Sequence, residues 1–314
     1  MKKTLINKVY VEGVLYQHEL ELKTSGPNSS RPGTEYITGT LHVATDNEML
    51  NIVPIHYTYV TATTSTGKPN SNFNILKDII EKKYACYVDD NTANVKLRVD
   101  SAIGLNEFFS DREGKEELVS VKRNEGGFIH IISGALSEIE NIRNTFDVDM
   151  IITGVRRLEA VPERGYAEKV IIKGAIFDFK KSLLPIELSA TIPAAMNYFE
   201  NLEPSSSNPV FTRVKGNIIS KTVIRTVTEE GAFGEPTVRQ VRNSEKDYVI
   251  TWAAPDVYDW DDPSTMLASE LKEAMQNRET YLAALKTRND EYKASRQTAT
   301  AKVNTAPAAG GFDF

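Results

Sequence analysis

The feature that most constrains this chain is that it runs through the same pattern of strands twice. Val9-Tyr10-Val11-Glu12-Gly13-Val14-Leu15 has a counterpart in Met150-Ile151-Ile152-Thr153-Gly154-Val155-Arg156, both alternating apolar runs with a glycine at the same place. Tyr36-Ile37-Thr38-Gly39-Thr40-Leu41 is answered by Val170-Ile171-Ile172-Lys173-Gly174-Ala175-Ile176, and each is followed by a strand entered through Pro-Ile, at Pro54-Ile55 and Pro185-Ile186. A short helical segment comes next in each half: Asn74 to Lys82, with Ile75, Leu76, Ile79 and Ile80 on one side, and Ala194 to Leu202, with Met196, Tyr198, Phe199 and Leu202. Val95-Lys96-Leu97-Arg98-Val99 then matches Val210-Phe211-Thr212-Arg213-Val214, and Val121-Lys122-Arg123-Asn124 matches Val241-Arg242-Asn243. Each half closes on an aromatic-led strand, Phe128 to Ile132 against Tyr248 to Trp252.

Any antiparallel domain shows alternating Val and Ile, so it is the shared order that carries weight: three strands, a helix, two strands. That is the layout of the five-stranded Greek-key barrel called the OB-fold. The expected fold is mainly β, two tandem OB-like barrels with a short helix between the third and fourth strands of each. The domains would span residues 1–143 and 144–256, followed by a C-terminal amphipathic helix over 257–296 and a disordered tail over 297–314. Asp262-Pro263-Ser264 reads as a cap with proline at the first helical position, and a helix should run from there to about Ala294. Its apolar positions, Leu267, Leu271, Met275, Leu282 and Leu285, demand a docking partner. The barrels of the same chain are one candidate and a second subunit the other. From Gln297 onward Thr, Ala, Pro and Gly dominate, a composition that buries little.

Chemistry is sparse. Four scattered histidines, His18, His42, His56 and His130, and a lone Cys86 offer no metal-ligand spacing, so neither a metal nor another cofactor is expected. Gly67-Lys68 lacks the upstream glycine of a phosphate loop, and Pro69 stands where Ser or Thr is needed. Asp89-Asp90 and Asp259, Asp261 and Asp262 sit in turn-like or cap-like contexts. The chain is read as a binder, not an enzyme. The N-terminus shows no apolar core of signal-peptide length and no window matches a membrane span, so a cytoplasmic protein without membrane contact is expected.

A net charge of −6 means that any polyanion must meet a local stripe of positive charge. Binding a single strand without sequence preference needs aromatics on which bases stack and cations that follow the phosphates. Tyr57 and Tyr59 alternate on the third strand, Lys68 and Phe73 follow it, and Phe108-Phe109 precede Arg112 and Lys115 at the connection from the fourth strand to the fifth. Arg98 with Arg213, and Arg123 with Arg242, recur at matching places; Lys122, Lys215, Lys180, Lys181, Lys221 and Arg225 are expected to join the same region. The chain ends Gly310-Gly311-Phe312-Asp313-Phe314, an aromatic and acidic tip suited to a basic-rimmed pocket on a partner.

With the duplication, Tyr36 to Val43, Asn51 to Tyr59 and the terminal Gly-Gly-Phe-Asp-Phe resemble bacteriophage single-stranded DNA-binding proteins of the tandem OB-fold type. The resemblance implies a protein of the host cytoplasm that coats exposed strands in DNA replication, recombination and repair. It implies recruitment of replication or recombination proteins through Phe312, Asp313 and Phe314. Such tips carry several acidic residues, and here Asp313 stands alone. The competing reading is a viral assembly protein in which two β-barrels and a helix make subunit contacts and no DNA is bound.

Overall fold

The computed structural model describes every residue except 1–4, 28, 113–114, 162–165, 230–232, 234–236, 261, 263–265, 267 and 305–314. The described residues form a ten-stranded mixed sheet and three α-helices. β1 (Asn7–Thr24) pairs antiparallel with β2 (Glu35–Ala44), and β2 with β3 (Ile52–Thr61). β3 runs parallel to β5 (Lys115–Ile132), β5 antiparallel to β4 (Lys96–Arg112), and β4 antiparallel to β1, so five strands close a ring. β6 (Asn144–Leu158), β7 (Lys169–Phe177), β8 (Leu183–Ala190), β10 (Thr237–Ala253) and β9 (Val210–Glu229) close a second ring in the same order, again with one parallel pair, β8 with β10. The duplicated strand order seen in the sequence is thus present in the sheet.

Alternation builds the core. Val9 and Val11, Ile37 and Leu41, Val53 and Ile55, Leu97 and Val99, and Ile129 all point inward and are buried. α1 (Ser71–Ile80) closes one mouth of the first ring with Phe73, Leu76 and Ile79, each contributing roughly 1.5–3 kcal/mol by burial. It begins where the Asn70 side chain accepts the Asn72 amide proton at 3.2 Å. α2 (Pro193–Asn201) does the same for the second ring with Met196 and Phe199, and starts on a proline whose missing N–H has no helical partner to lose.

Backbone pairing and a buried side-chain amide both join the rings. Asn7–Val11 of β1 pairs with Asn144–Val148 of β6, making the sheet continuous. Asn51, 2% exposed, donates to Thr45 Oγ1 at 2.8 Å and to the Ile218 carbonyl at 3.1 Å, and accepts from the Ser220 amide at 2.7 Å.

Register corrects parts of the repeat. Arg98 and Arg213 occupy matching places, opposite Glu12 and Asp149 on the first strand of each ring. The aromatic that then matches Phe128, opposite Asp100, is Trp252, opposite Lys215, and not Tyr248. Arg123 lies opposite Gly104, near its ring, whereas Arg242 lies opposite Ile224, well out along the β9–β10 hairpin, so the two are not equivalent. Gly13 and Gly154 differ as well: a Cβ at Gly13 would strike the Ala44 carbonyl, and one at Gly154 would meet open space.

α3 (Ala268–Asn304) begins later and ends later than the sequence pattern suggests, so residues 297–304, expected to be disordered, are helical. The expected cap at Pro263-Ser264 and the apolar Leu267 lie outside the described residues. The helix docks on its own chain. Met266, Leu271 and Ala274 pack with Tyr258 and Trp260 over Ile151, Phe177, Leu183 and Phe211 of the second ring. Met275, expected in the apolar stripe, is 52% exposed. No helix among the described residues is long and apolar enough to cross a membrane.

Candidate nucleic-acid interface

The outer face of β2 and β3 is the first component. With Ile37, Leu41, Ile55 and Tyr57 turned into the core, Thr38, Thr40 and His56 alternate to the opposite side; Thr38 and His56 are half-buried there, and Thr40, only 9% exposed, meets His56 Nδ1 with its hydroxyl at 3.0 Å. A register shift between Ile37 and Gly39 against β3 adds a residue to that strand, and Tyr59 swings into solvent at 45% exposure. Tyr57 and Tyr59 therefore do not share a face, and Tyr57, at 4% exposure, has no surface for a base. Gly39 makes the shift sterically feasible: its φ is +129°, and a Cβ would lie 2.0 Å from the Glu19 carbonyl oxygen. Tyr36 on β2 joins Tyr59, ring centroids 4.5 Å apart, and the Tyr59 hydroxyl sits 3.1 Å from that of Ser25 in the β1–β2 loop. Tyr36, half-buried, is a contributor the sequence did not single out, because it is the register shift in β3 that brings Tyr59 beside it.

The second component is an arm. Beyond Gly104 and Arg123, β4 and β5 continue as a two-stranded ribbon to Arg112 and Lys115. Its two faces differ. Asn106, Phe108, Ser110, Glu117, Val119 and Val121 lie on one side, with Phe108 43% and Val121 48% exposed. Glu107, Phe109, Asp111, Glu116 and Leu118 alternate onto the other, towards α3, where Lys286 Nζ stands 5.4 Å from the Phe109 ring centroid. Phe108 and Phe109, expected as a pair, are thus separated by the ribbon. The Phe108 side runs on through Arg123 and Glu125 to His56 on β3, so arm and ring share one surface.

The cations expected to gather in one region are dispersed. Arg123 Nε donates to Glu125 Oε1 at 2.7 Å, so this cation already has a carboxylate at hand; Lys23 of β1, which was not among the expected cations, is likewise paired with Glu21. Lys68 is exposed in the loop between β3 and α1, whereas Phe73, 4% exposed, belongs to the core. Arg98 holds Asp100 at 3.2 Å. Arg213 grips Asp147 with two bonds of 2.7 and 2.6 Å, and though burial works against it, this contact keeps the Asp147 carboxyl below its ordinary value. Lys215 lies over the Trp252 ring at 5.0 Å. Lys122 turns inward between the rings, donating to the Glu187 carbonyl and sitting 4.4 Å from the Tyr248 ring centroid. Lys180 and Lys181 are exposed in the β7–β8 turn beside Phe179, itself 90% exposed. Lys221 bridges to Asn51 through backbone pairing. The side chains of Arg112, Arg225 and Arg242, and all of Phe312, Asp313 and Phe314, lie outside the described residues. Burial pushes His42 and His56 below the ordinary histidine value, so neither adds charge at neutral pH.

A cleft of about 890 Å³ opens where the arm's base, the β7–β8 turn and α3 meet, with Lys180, Lys181 and Tyr281 among its walls. Among the described residues no group of His, Cys, Asp and Glu side chains gathers as a metal site requires.

A family model described as YorF matches residues 6–288. No curated protein matches the sequence. Two solved structures share 9% identity with it: a deletion variant of the single-stranded DNA-binding protein from Thermus aquaticus, TM-score 0.45, covering 81% of this chain and 96% of that one, and the wild-type protein from the same organism, TM-score 0.44, covering 82% and 96%.

Proposed function

We propose that this chain, which belongs to the YorF family, is a non-catalytic binder of single-stranded DNA built on two OB-type barrels, residues 1–143 and 144–256. The observation that carries this reading is the single surface formed by the outer face of β2 and β3 and the Phe108 side of the arm. It presents the Tyr36–Tyr59 pair and Phe108 along one path. In an OB-fold the β2–β3 face and the loops between strands one and two and between strands four and five take oligonucleotides. Those are the places where the aromatics stand. Because Lys23 and Arg123 already hold carboxylates, bases rather than phosphates supply most of the affinity, with stacking worth about 1–3 kcal/mol per base. A role in replication, recombination or repair, and recruitment of partners through Phe312, Asp313 and Phe314, belong to the same proposal.

The test is a fluorescence titration with labelled single-stranded and duplex DNA of one sequence, at low and moderate salt. The expected result is a preference for the single strand with a shallow salt slope, equivalent to about one or two neutralised phosphates. Tyr59→Ala and Phe108→Ala should each weaken binding by roughly 1–3 kcal/mol. Equal affinity for duplex, or no loss in either variant, would sink the assignment of this face.

A further inference from the structure

The arm that carries Phe108 is acidic on its reverse side. Glu107, Asp111 and Glu116 all lie on the face turned to α3, and each is met there by a cation from that helix. Arg278 forks onto both oxygens of Glu107, a pair with 11% and 1% of its side-chain surface exposed. Lys286 reaches Glu116 and is shared with Asp290, one turn on in α3, at 3.0 Å; Lys293 reaches Glu116 at 2.8 Å and Asp111 at 2.9 Å, while Asn289 Nδ2 donates to Glu116 at 2.7 Å. Together Lys286 and Lys293 hold the Glu116 carboxyl down to about 2. The three cations recur every two turns, so one stripe of the helix serves the whole arm.

The arm is one sheet thick, so a phosphate lying against the Phe108 side is within about one Debye length, roughly 10 Å, of the carboxylates behind it. Three uncompensated carboxylates there would repel a DNA backbone. We propose that α3 is an electrostatic backing for the arm: Arg278, Lys286 and Lys293 offset most of the charge of Glu107, Asp111 and Glu116 and so make the opposite, Phe108-bearing face acceptable to single-stranded DNA. They are positioning residues and touch no base. The inference rests on the proposed function, since it assigns the helix a part in that same site.

Lys286 and Lys293 are 46% and 38% exposed, and surface pairs of this kind add little to stability. A purely structural role would leave DNA affinity almost unmoved when they are changed. Arg278 is left in place, because removing it would strand a buried carboxylate.

The experiment uses the full chain and a labelled oligothymidylate. Lys286→Glu/Lys293→Glu should bind about tenfold more weakly than wild type at low salt, the gap narrowing at moderate salt as screening takes over. Lys286→Gln/Lys293→Gln, which removes charge without reversing it, should lose roughly half as much on a logarithmic scale. Adding Asp111→Lys/Glu116→Lys to the glutamate variant should restore affinity to within about twofold. Wild-type binding with unchanged affinity in both lysine variants overturns the inference and leaves the function standing, as does failure of the restored variant to recover. Absence of wild-type binding overturns the functional reading itself.

Discussion

Lys122 shows how one side chain can change roles between sequence and structure. On a strand rich in Lys and Arg it reads as a phosphate contact. In the folded chain its ammonium is enclosed between the rings, and burial pushes it down to about 8 against the pull of Asp247 and Glu187. With a folded value below the unfolded one, the unfolded chain holds the extra proton between about pH 8 and pH 10, so this group makes stability rise with pH across that window. Denaturation midpoints at about pH 7.5 and 9.5 should therefore show wild type gaining more than Lys122→Met. Identical pH responses would contradict the enclosure. Tyr59 teaches the complementary lesson. Its residue type pointed to stacking, but its separation from Tyr57 came from a bulge that only the β2–β3 register reveals. Arg98 and Arg213 were legible as repeated residues, and the acids beside them, Asp100 and Asp147, were not, because those pairings cross or follow strands that sequence spacing does not align.

The elements themselves were largely legible, because alternation and helical spacing are local. Asn74 to Lys82 and Ala194 to Leu202 fall within three residues of α1 and α2 at their starts. The arm was less so: the strand pattern Val95–Val99 continues as β4 to Arg112, where solvent on one side and a charged helix on the other hide the alternation of a core strand. α3 outran its apolar positions because Ala, Gln, Lys and Arg sustain a helix by propensity where packing does not. No pattern marked the contact between the β2–β3 turn and β9, which hangs on Asn51. Asn51→Ala leaves the Ser220 amide and one acceptor site at the Ile218 carbonyl unfilled and should cost about 2–3 kcal/mol in urea unfolding. A change below about half a kilocalorie would show that water replaces it.

For the molecule as a whole, one apolar cluster runs from Val9 and Leu97 of the first ring to Val214 and Ile250 of the second without interruption. Rings joined in this way should melt together, and calorimetry should record one endotherm whose calorimetric and van't Hoff enthalpies agree. Two resolved endotherms would mean that the seams are weaker than the cluster suggests. The continuous sheet also has a history during synthesis. The first ring can close once Ile132 has emerged, yet the edge Asn7–Val11 meets its neighbour only when Val148 follows, roughly a second or two later at ordinary translation rates. For that interval a nascent strand edge stands open to pairing with any other chain. The lysine at its second position, Lys8, is the kind of residue that discourages such pairing, and it ends opposite Asp147 once the second ring arrives.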